Sequence, residues 1–307
     1  MRISTNLMFD RASAQMSMVQ SNLAKTQTQL AQGKQVINAS DAPDQAASIQ
    51  RLKSLLNKQD SYKSSLDTIK IRLETEDSTL QNLTGMLTRA KELAVHAAND
   101  TLSTDNRKAM ALEMQALRDQ MLSLANTKDT NGNFIFSGSR VKVPPFATNA
   151  NGSPTYQGDQ TTMRVRVSEQ FTMPLNRPGT DAFTSLTRQK SDGSSGGVGF
   201  FQVMDDLIAG INQSDAKAMG RGIDELDGLF EGASLTHAAV GTNLNVIEQQ
   251  VSIIDDTVLN LKSTLSNIED LDFASAITKM NQQMLSLEAA QSSFAKISQL
   301  NLFDYIR

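Results

Sequence analysis

The chain has 307 residues, 5% of them aromatic, with no cysteine, no tryptophan, two histidines and a formal net charge of −4. Zero cysteine excludes disulfides, thiol nucleophiles and cysteine-ligated metal, and two histidines (His96, His237) exclude a three-histidine centre. A sequence pI near 5.3 argues against a nucleic-acid binder held by bulk charge, so this polar, ring-poor chain has the composition of an assembly protein rather than an enzyme.

The opening run, Met1 to Asp10, is interrupted by Ser, Thr, Asn and Asp and lacks the continuous apolar core of a cleaved secretory signal. No stretch approaches the roughly 20 apolar residues of a membrane-spanning helix. The simplest location is cytosolic, although a chain exported by an apparatus that reads uncleaved N-termini looks the same.

Heptad spacing begins at once. Phe9, Ala12, Met16, Val19, Leu23, Thr26 and Leu30 recur in steps of three and four and predict a narrow coiled-coil seam ending at Gly33. Ile3 and Leu7 extend this apolar end. Asp41 reads as an N-cap, with Pro43 in the first turn and Asp44 at the capping-box position. A helix from about 42 to 98 follows, with Leu66, Ile69, Leu73, Leu80, Leu83, Leu87, Ala90, Ala94 and Ala97 as its seam; only Glu76 breaks it. At 1.5 Å per residue it is a rod of ~80 Å. Ser103 or Thr104 caps the next helix, whose seam is Met110, Met114, Leu117, Met121 and Leu124.

The pattern then changes. Asp129–Asn133 reads as a turn, and Phe134–Phe136 and Met163–Val167 have strand composition. Five of the six prolines, and an Asn-Gly pair at 151–152, fall in this stretch. Residues 131–192 are expected to form a β-rich insert, and 193–199 a Gly/Ser linker. Helix resumes near Phe200. Six glycines between 210 and 241 weaken the helical signal there, which is clear again from 243 to 267. A final helix places Phe273, Ile277, Met280, Met284, Leu287, Phe294 and Ile297 on one face, with Leu300 beyond them. Residues 201–272 hold three basic against thirteen acidic groups, whereas both ends are slightly basic. Apolar seams, not charge, must therefore pair the ends.

Motifs for chemistry are weak. Ser293-x-x-Lys296 lacks the companion motifs of serine acyl enzymes, and the Gly193–Gly199 run lacks the Gly-Lys-Ser/Thr ending of a phosphate loop. Asp129-x-Asn131-x-Asn133 starts like a calcium loop, but Phe134 and Arg140 occupy its glycine and bidentate-Glu positions. The two histidines read as structural or surface residues. No cofactor or metal is expected. Met110, Met114, Met121, Met280 and Met284 have core spacing, and in a seam they also give an adaptable face for partners.

Several separated segments resemble the flagellin superfamily. They are Met1–Thr5, Gly33–Pro43 (with Ala42 where an acidic residue is common), Lys91–Asn99, Asn131–Ser139 with Pro144-Pro145-Phe146, and the C-terminal heptads. The Asn131–Phe146 segment is similar to the superfamily's hook–filament junction members rather than to its filament subunits. The resemblance implies a mainly α fold: a long helical coiled-coil rod built from both chain ends, with a small β-rich inserted domain. Its expected parts are 1–38 as N-terminal coil, 39–130 and 200–270 as core rod, and 271–307 as C-terminal coil. It further implies a non-enzymatic flagellar structural subunit, secreted without a cleaved signal and located outside the cell. The implied partners are hook-associated protein 1, flagellin, further copies of itself and a flagellar export chaperone, with no nucleic acid and no membrane insertion. Ile3, Leu7, Phe9, Met16, Val19, Leu23, Leu30, Phe273, Ile277, Met280, Met284, Leu287, Phe294, Ile297 and Leu300 are the expected interface for assembly or chaperone. A filament subunit and a cytosolic coiled-coil adaptor are the alternatives.

Overall fold

In the computed structural model, residues 2–148, 152–189 and 195–303 are described, with side chains for 7–148, 152–189 and 195–296. Ile3, Ile297 and Leu300 are thus placed in helices without described side chains, and the Asn-Gly pair and the start of the expected linker lie partly outside the described residues. The elements are α1 (Arg2–Gln32), α2 (Pro43–Ala97), α3 (Thr104–Ala125), β1 (Phe146–Thr148), β2 (Pro154–Tyr156), β3 (Arg164–Arg166), β4 (Thr172–Pro174), α4 (Gly179–Ala182), β5 (Leu186–Gln189), β6 (Ser195–Val198), α5 (Phe200–Gln213), α6 (Ala216–Glu269) and α7 (Phe273–Phe303). They fall into two compact units, residues 59–254 and residues 1–58 with 255–307.

The 59–254 unit holds the deep core. The α2 seam is buried from Leu66 to Ala97, as its spacing requires. On α6, Met219, Leu226, Ala233, Val240, Ile247 and Ile254 are buried at strict seven-residue intervals, the repeat of a coiled-coil face. Met114 and Met121 of α3 are fully buried with Ala111 and Ala125. Each buried side chain of Leu or Met size contributes roughly 1.5–3 kcal/mol. Ser103 caps α3 by accepting the Asn106 N–H at 3.3 Å.

The glycine-rich stretch is helix, and four of its six glycines, Gly210, Gly222, Gly228 and Gly232, admit a close neighbour rather than turn the chain. A Cβ on Gly210 would lie 2.9 Å from Ala218 Cβ, and one on Gly222 would lie 2.7 Å from Leu207 Cδ1. α5 and the start of α6 therefore pack closer than any larger residue permits. Ser214, in left-handed conformation (φ 54°), ends α5, and Asp215 accepts the Lys217 N–H at 2.9 Å to start α6.

The insert forms three separate antiparallel hairpins, β1–β2, β3–β4 and β5–β6. Two expectations need correction here. Residues 195–198, read as linker, pair as β6 with β5, where the backbone of Leu186–Gln189 supplies the ladder partners despite the low strand preference of Ser and Gly. Phe134-Ile135-Phe136 is a buried loop held by an isolated bridge from Phe134 to Lys128, not a strand; its two rings and Ile135 all enter the core, which alternation forbids. Phe136, Phe146, Phe183, Phe200 and Phe201 form the aromatic centre, with ring centroids 5.1–6.0 Å apart. Asp129 does make a turn, accepting the Asn131 and Asn133 N–H groups at 2.8 and 2.9 Å.

Candidate assembly surface

The unit of residues 1–58 and 255–307 is built on α1 and α7. Phe9 meets Phe294 with ring centroids 4.7 Å apart, and a Cβ on Gly33 would lie 3.5 Å from the Phe273 ring. The start of each helix thus meets or approaches the end of the other, so they pair antiparallel. The α1 side of the seam is Ala12, Met16, Val19, Leu23, Thr26 and Leu30; the α7 side is Ala276, Met280, Gln283, Leu287, Ala290 and Phe294. Among these only Thr26 and Ala276 are fully buried.

The seam is shallow by chemistry as well as by exposure. Ala12, Ala276 and Ala290 offer little apolar area, and Thr26 turns its hydroxyl to the Asn22 carbonyl at 3.0 Å. Gln283 Oε1 is buried without a hydrogen-bond partner, which costs about 1–3 kcal/mol. Meanwhile Leu7, Met8, Phe9 and Met18 of α1, and Phe273, Ile277, Met284 and Leu285 of α7, remain exposed.

The expected α7 face therefore splits. Met280, Leu287 and Phe294 enter the seam, whereas Ile277 (46% exposed) and Met284 (43%) lie on a second, outward stripe. Two helices bury only a narrow strip, and small residues at 276 and 290 let them approach with the larger ones left outside. Ala276, Gln283 and Ala290 were missed by reading large apolar residues alone; the strict three–four spacing running 276, 280, 283, 287, 290 and 294 is the signal that finds them. On α1, Met16, Val19, Leu23 and Leu30 are half-buried in the seam, Leu7 points outward, and Phe9 does both.

A clasp ties the two chain connections together. Gln35 N–H donates to the Glu269 carbonyl at 2.8 Å, and Leu271 N–H to the Gly33 carbonyl at 3.0 Å. Gly33 adopts φ +67°, a conformation that glycine takes without strain. The Glu269 carboxylate lies 2.7 Å from Lys34 Nζ and 2.8 Å from Lys53 Nζ. Burial pushes this carboxyl up, but the hydrogen bonds from Lys34 and Lys53 outweigh it and hold the group below its usual range. Asp41 is not the N-cap of α2. Its carboxylate turns back to Lys25 at 2.8 Å and accepts the Asn38 N–H at 3.2 Å, while Ala42, before Pro43, takes the cap position.

The 59–254 unit carries one buried charged group that the seam reading flagged as an exception. Glu76 is 3% exposed and accepts from Arg177 Nε at 2.8 Å. Burial raises its pKa above the normal range, against the lowering effect of Arg177 and Arg72. Arg72 Nη2 donates to the Ile135 carbonyl at 2.9 Å. These two arginines fasten the insert to α2. His237 Nε2 rests 3.0 Å from Asp77, and His96 is exposed. No group of three or more potential metal ligands occurs among the described residues, nor any helix long and apolar enough to cross a membrane.

Comparison with known proteins matches the helical regions at both ends of the chain. A family model for the bacterial flagellin N-terminal helical region matches residues 3–141, and one for the C-terminal helical region matches residues 223–306. Flagellar hook-associated protein 3 of Salmonella typhimurium (strain LT2) is 28% identical, over 100% of both chains. A flagellin of Listeria innocua is 23% identical over 98% of this chain and 96% of its own. The crystal structure of flagellar hook-associated protein-3 from Legionella pneumophila superposes with a TM-score of 0.64 at 19% identity, covering 72% of this chain and 98% of that one.

Proposed function

The chain belongs to the bacterial flagellin family, and on that premise we propose that it is a structural subunit of the flagellum that joins hook to filament, without enzymatic activity. The observation that carries the assembly part of this reading is the α1–α7 pair: both chain ends form one shallow seam and leave eight large apolar side chains exposed on the described surface. Such a pair is marginal alone, because an isolated helix face gains little until a neighbour covers it. Neighbouring copies in a ring supply that cover through many weak lateral contacts, and the well-buried 59–254 unit stays folded throughout. Higher identity to a hook-associated protein than to the flagellin supports the junction over the filament role.

The finer reading assigns partners. Hook-associated protein 1 lies on the hook side and flagellin on the filament side. The chain leaves the cell through the flagellar export pathway with its N-terminus uncleaved, and a cytosolic chaperone covers the C-terminal coil until then. Deletion of the gene tests the function. Loss of this chain is expected to leave bare hooks by electron microscopy, with flagellin shed into the medium as monomers. Filaments of normal length would overturn the reading, and absence of exported flagellin would point to a filament subunit instead.

A further inference from the structure

The methionines of the two units differ in exposure. Met114, Met121, Met173, Met204 and Met219 are at most 2% exposed, and all lie in the 59–254 unit. The large exposed hydrophobic side chains include three methionines, Met8, Met18 and Met284, and all three lie on α1 or α7. Two of them sit in apolar company: Met8 between Leu7 and Phe9, and Met284 beside Leu285 and one heptad on from Ile277. Leucine would serve packing equally well at these positions, so sulfur is placed where the free chain meets solvent and where assembly needs an apolar surface.

We propose that Met8, Met18 and Met284 are oxidation-sensitive positions of the assembly surface, whose conversion to sulfoxide on the free chain blocks incorporation and whose burial on incorporation shields them. This rests on the assembly role of α1 and α7 proposed above. The oxidant is a peroxide. One peroxide oxygen bonds to the thioether sulfur as the O–O bond breaks; sulfur loses two electrons, and hydrogen peroxide leaves as water. The product is a polar S=O group in place of a flexible apolar side chain. Within a covered seam that oxygen has no water and no partner, so the contact is lost. Selectivity follows exposure, since the core sulfurs are closed off from the reagent.

The test uses the purified full chain, treated with hydrogen peroxide or left untreated, then supplied to cells lacking the gene. Peptide mass mapping is expected to show Met8, Met18 and Met284 oxidised on the order of tenfold faster than Met114, Met121 and Met204. Treated chain is expected to restore few filaments, methionine sulfoxide reductase to recover them, and a Met8→Leu/Met18→Leu/Met284→Leu chain to resist treatment. The proposal is overturned if chain carrying the three sulfoxides incorporates as well as untreated chain. It is equally overturned if core methionines oxidise first, or if the treated leucine variant fails like the native one. Failure of the untreated chain to incorporate would overturn the assembly reading itself and this inference with it.

Discussion

Replacing Arg177 by Met removes the partner of the most buried carboxylate in the helical core. The Glu76 side chain is 4% exposed and that of Arg177 20%, so the pair is largely withdrawn from water. Breaking such a pair from one side costs about 3–5 kcal/mol, because the remaining charge is left buried. Arg72 stays nearby, but its Nη2 is committed to the Ile135 carbonyl. The Arg177–Asp181 contact, 3.7 Å with Asp181 nearly half exposed, adds little. With a urea slope of about 1–3 kcal/mol/M, the unfolding midpoint of the full chain should fall by roughly 1–5 M. The loss should depend on pH in a defined sense. Burial already raises the Glu76 pKa in the folded chain, and removing Arg177 raises it further. A carboxyl whose folded pKa lies above its unfolded value binds a proton on folding, so stability falls as pH rises through the folded value. The deficit of Arg177→Met should therefore be smaller at pH 5 than at pH 7.5. A midpoint shift under about 0.3 M, or a deficit identical at the two pH values, would refute the claim that this ion pair fastens the insert.

Other expectations follow from the same packing. Leu83→Ala, at a fully buried seam position, should cost about 2–5 kcal/mol in chemical denaturation, whereas Leu287→Ala in the shallow terminal seam should change that transition by under about 1 kcal/mol. Gly222→Ala, whose Cβ would meet Leu207 Cδ1 at 2.7 Å, should destabilise by about 1–3 kcal/mol. Gly220→Ala, with nothing within 4 Å, should instead stabilise by about 0.5–1 kcal/mol; thermal melts separate the two. Glu269, held below its usual range by Lys34 and Lys53, contributes stability above its unfolded pKa that is lost as pH falls through the folded value. Amide exchange at Gln35 and Leu271, measured down an acid series, should show this loss in the native chain and not in Glu269→Gln.

Legibility in the sequence tracked how much a position depends on near neighbours. The α2 seam from Leu66 to Ala97 was readable because heptad spacing and burial are the same fact on a long helix, and Glu76 stood out for the same reason. Glycine between 210 and 241 misled, since a glycine that opens a turn and one that admits a neighbouring helix look alike until Ala218 and Leu207 are placed. The Ser-Gly run at 195–198 needed its partner strand at 186–189 to be seen as β6. Phe134–Phe136 has strand composition, yet its neighbours form an aromatic cluster that takes side chains from both faces. On α7, residue size suggested a single wide stripe. The antiparallel partner decided instead that Ala276 and Ala290 go inside and Ile277 and Met284 outside. That exchange changes the functional reading: Ile277 and Met284, left outside the seam, are what a neighbour finds.

The most direct test charges this outer stripe without touching the seam. In a strain whose only copy carries Met18→Glu, Ile277→Glu and Met284→Glu, the chain is measured in sheared flagella and in the culture medium. The expected result is a stably folded, exported chain found in the medium, with bare hooks on the cells. Incorporation into flagella at the native level would contradict the claim that the chain assembles through the outer faces of α1 and α7.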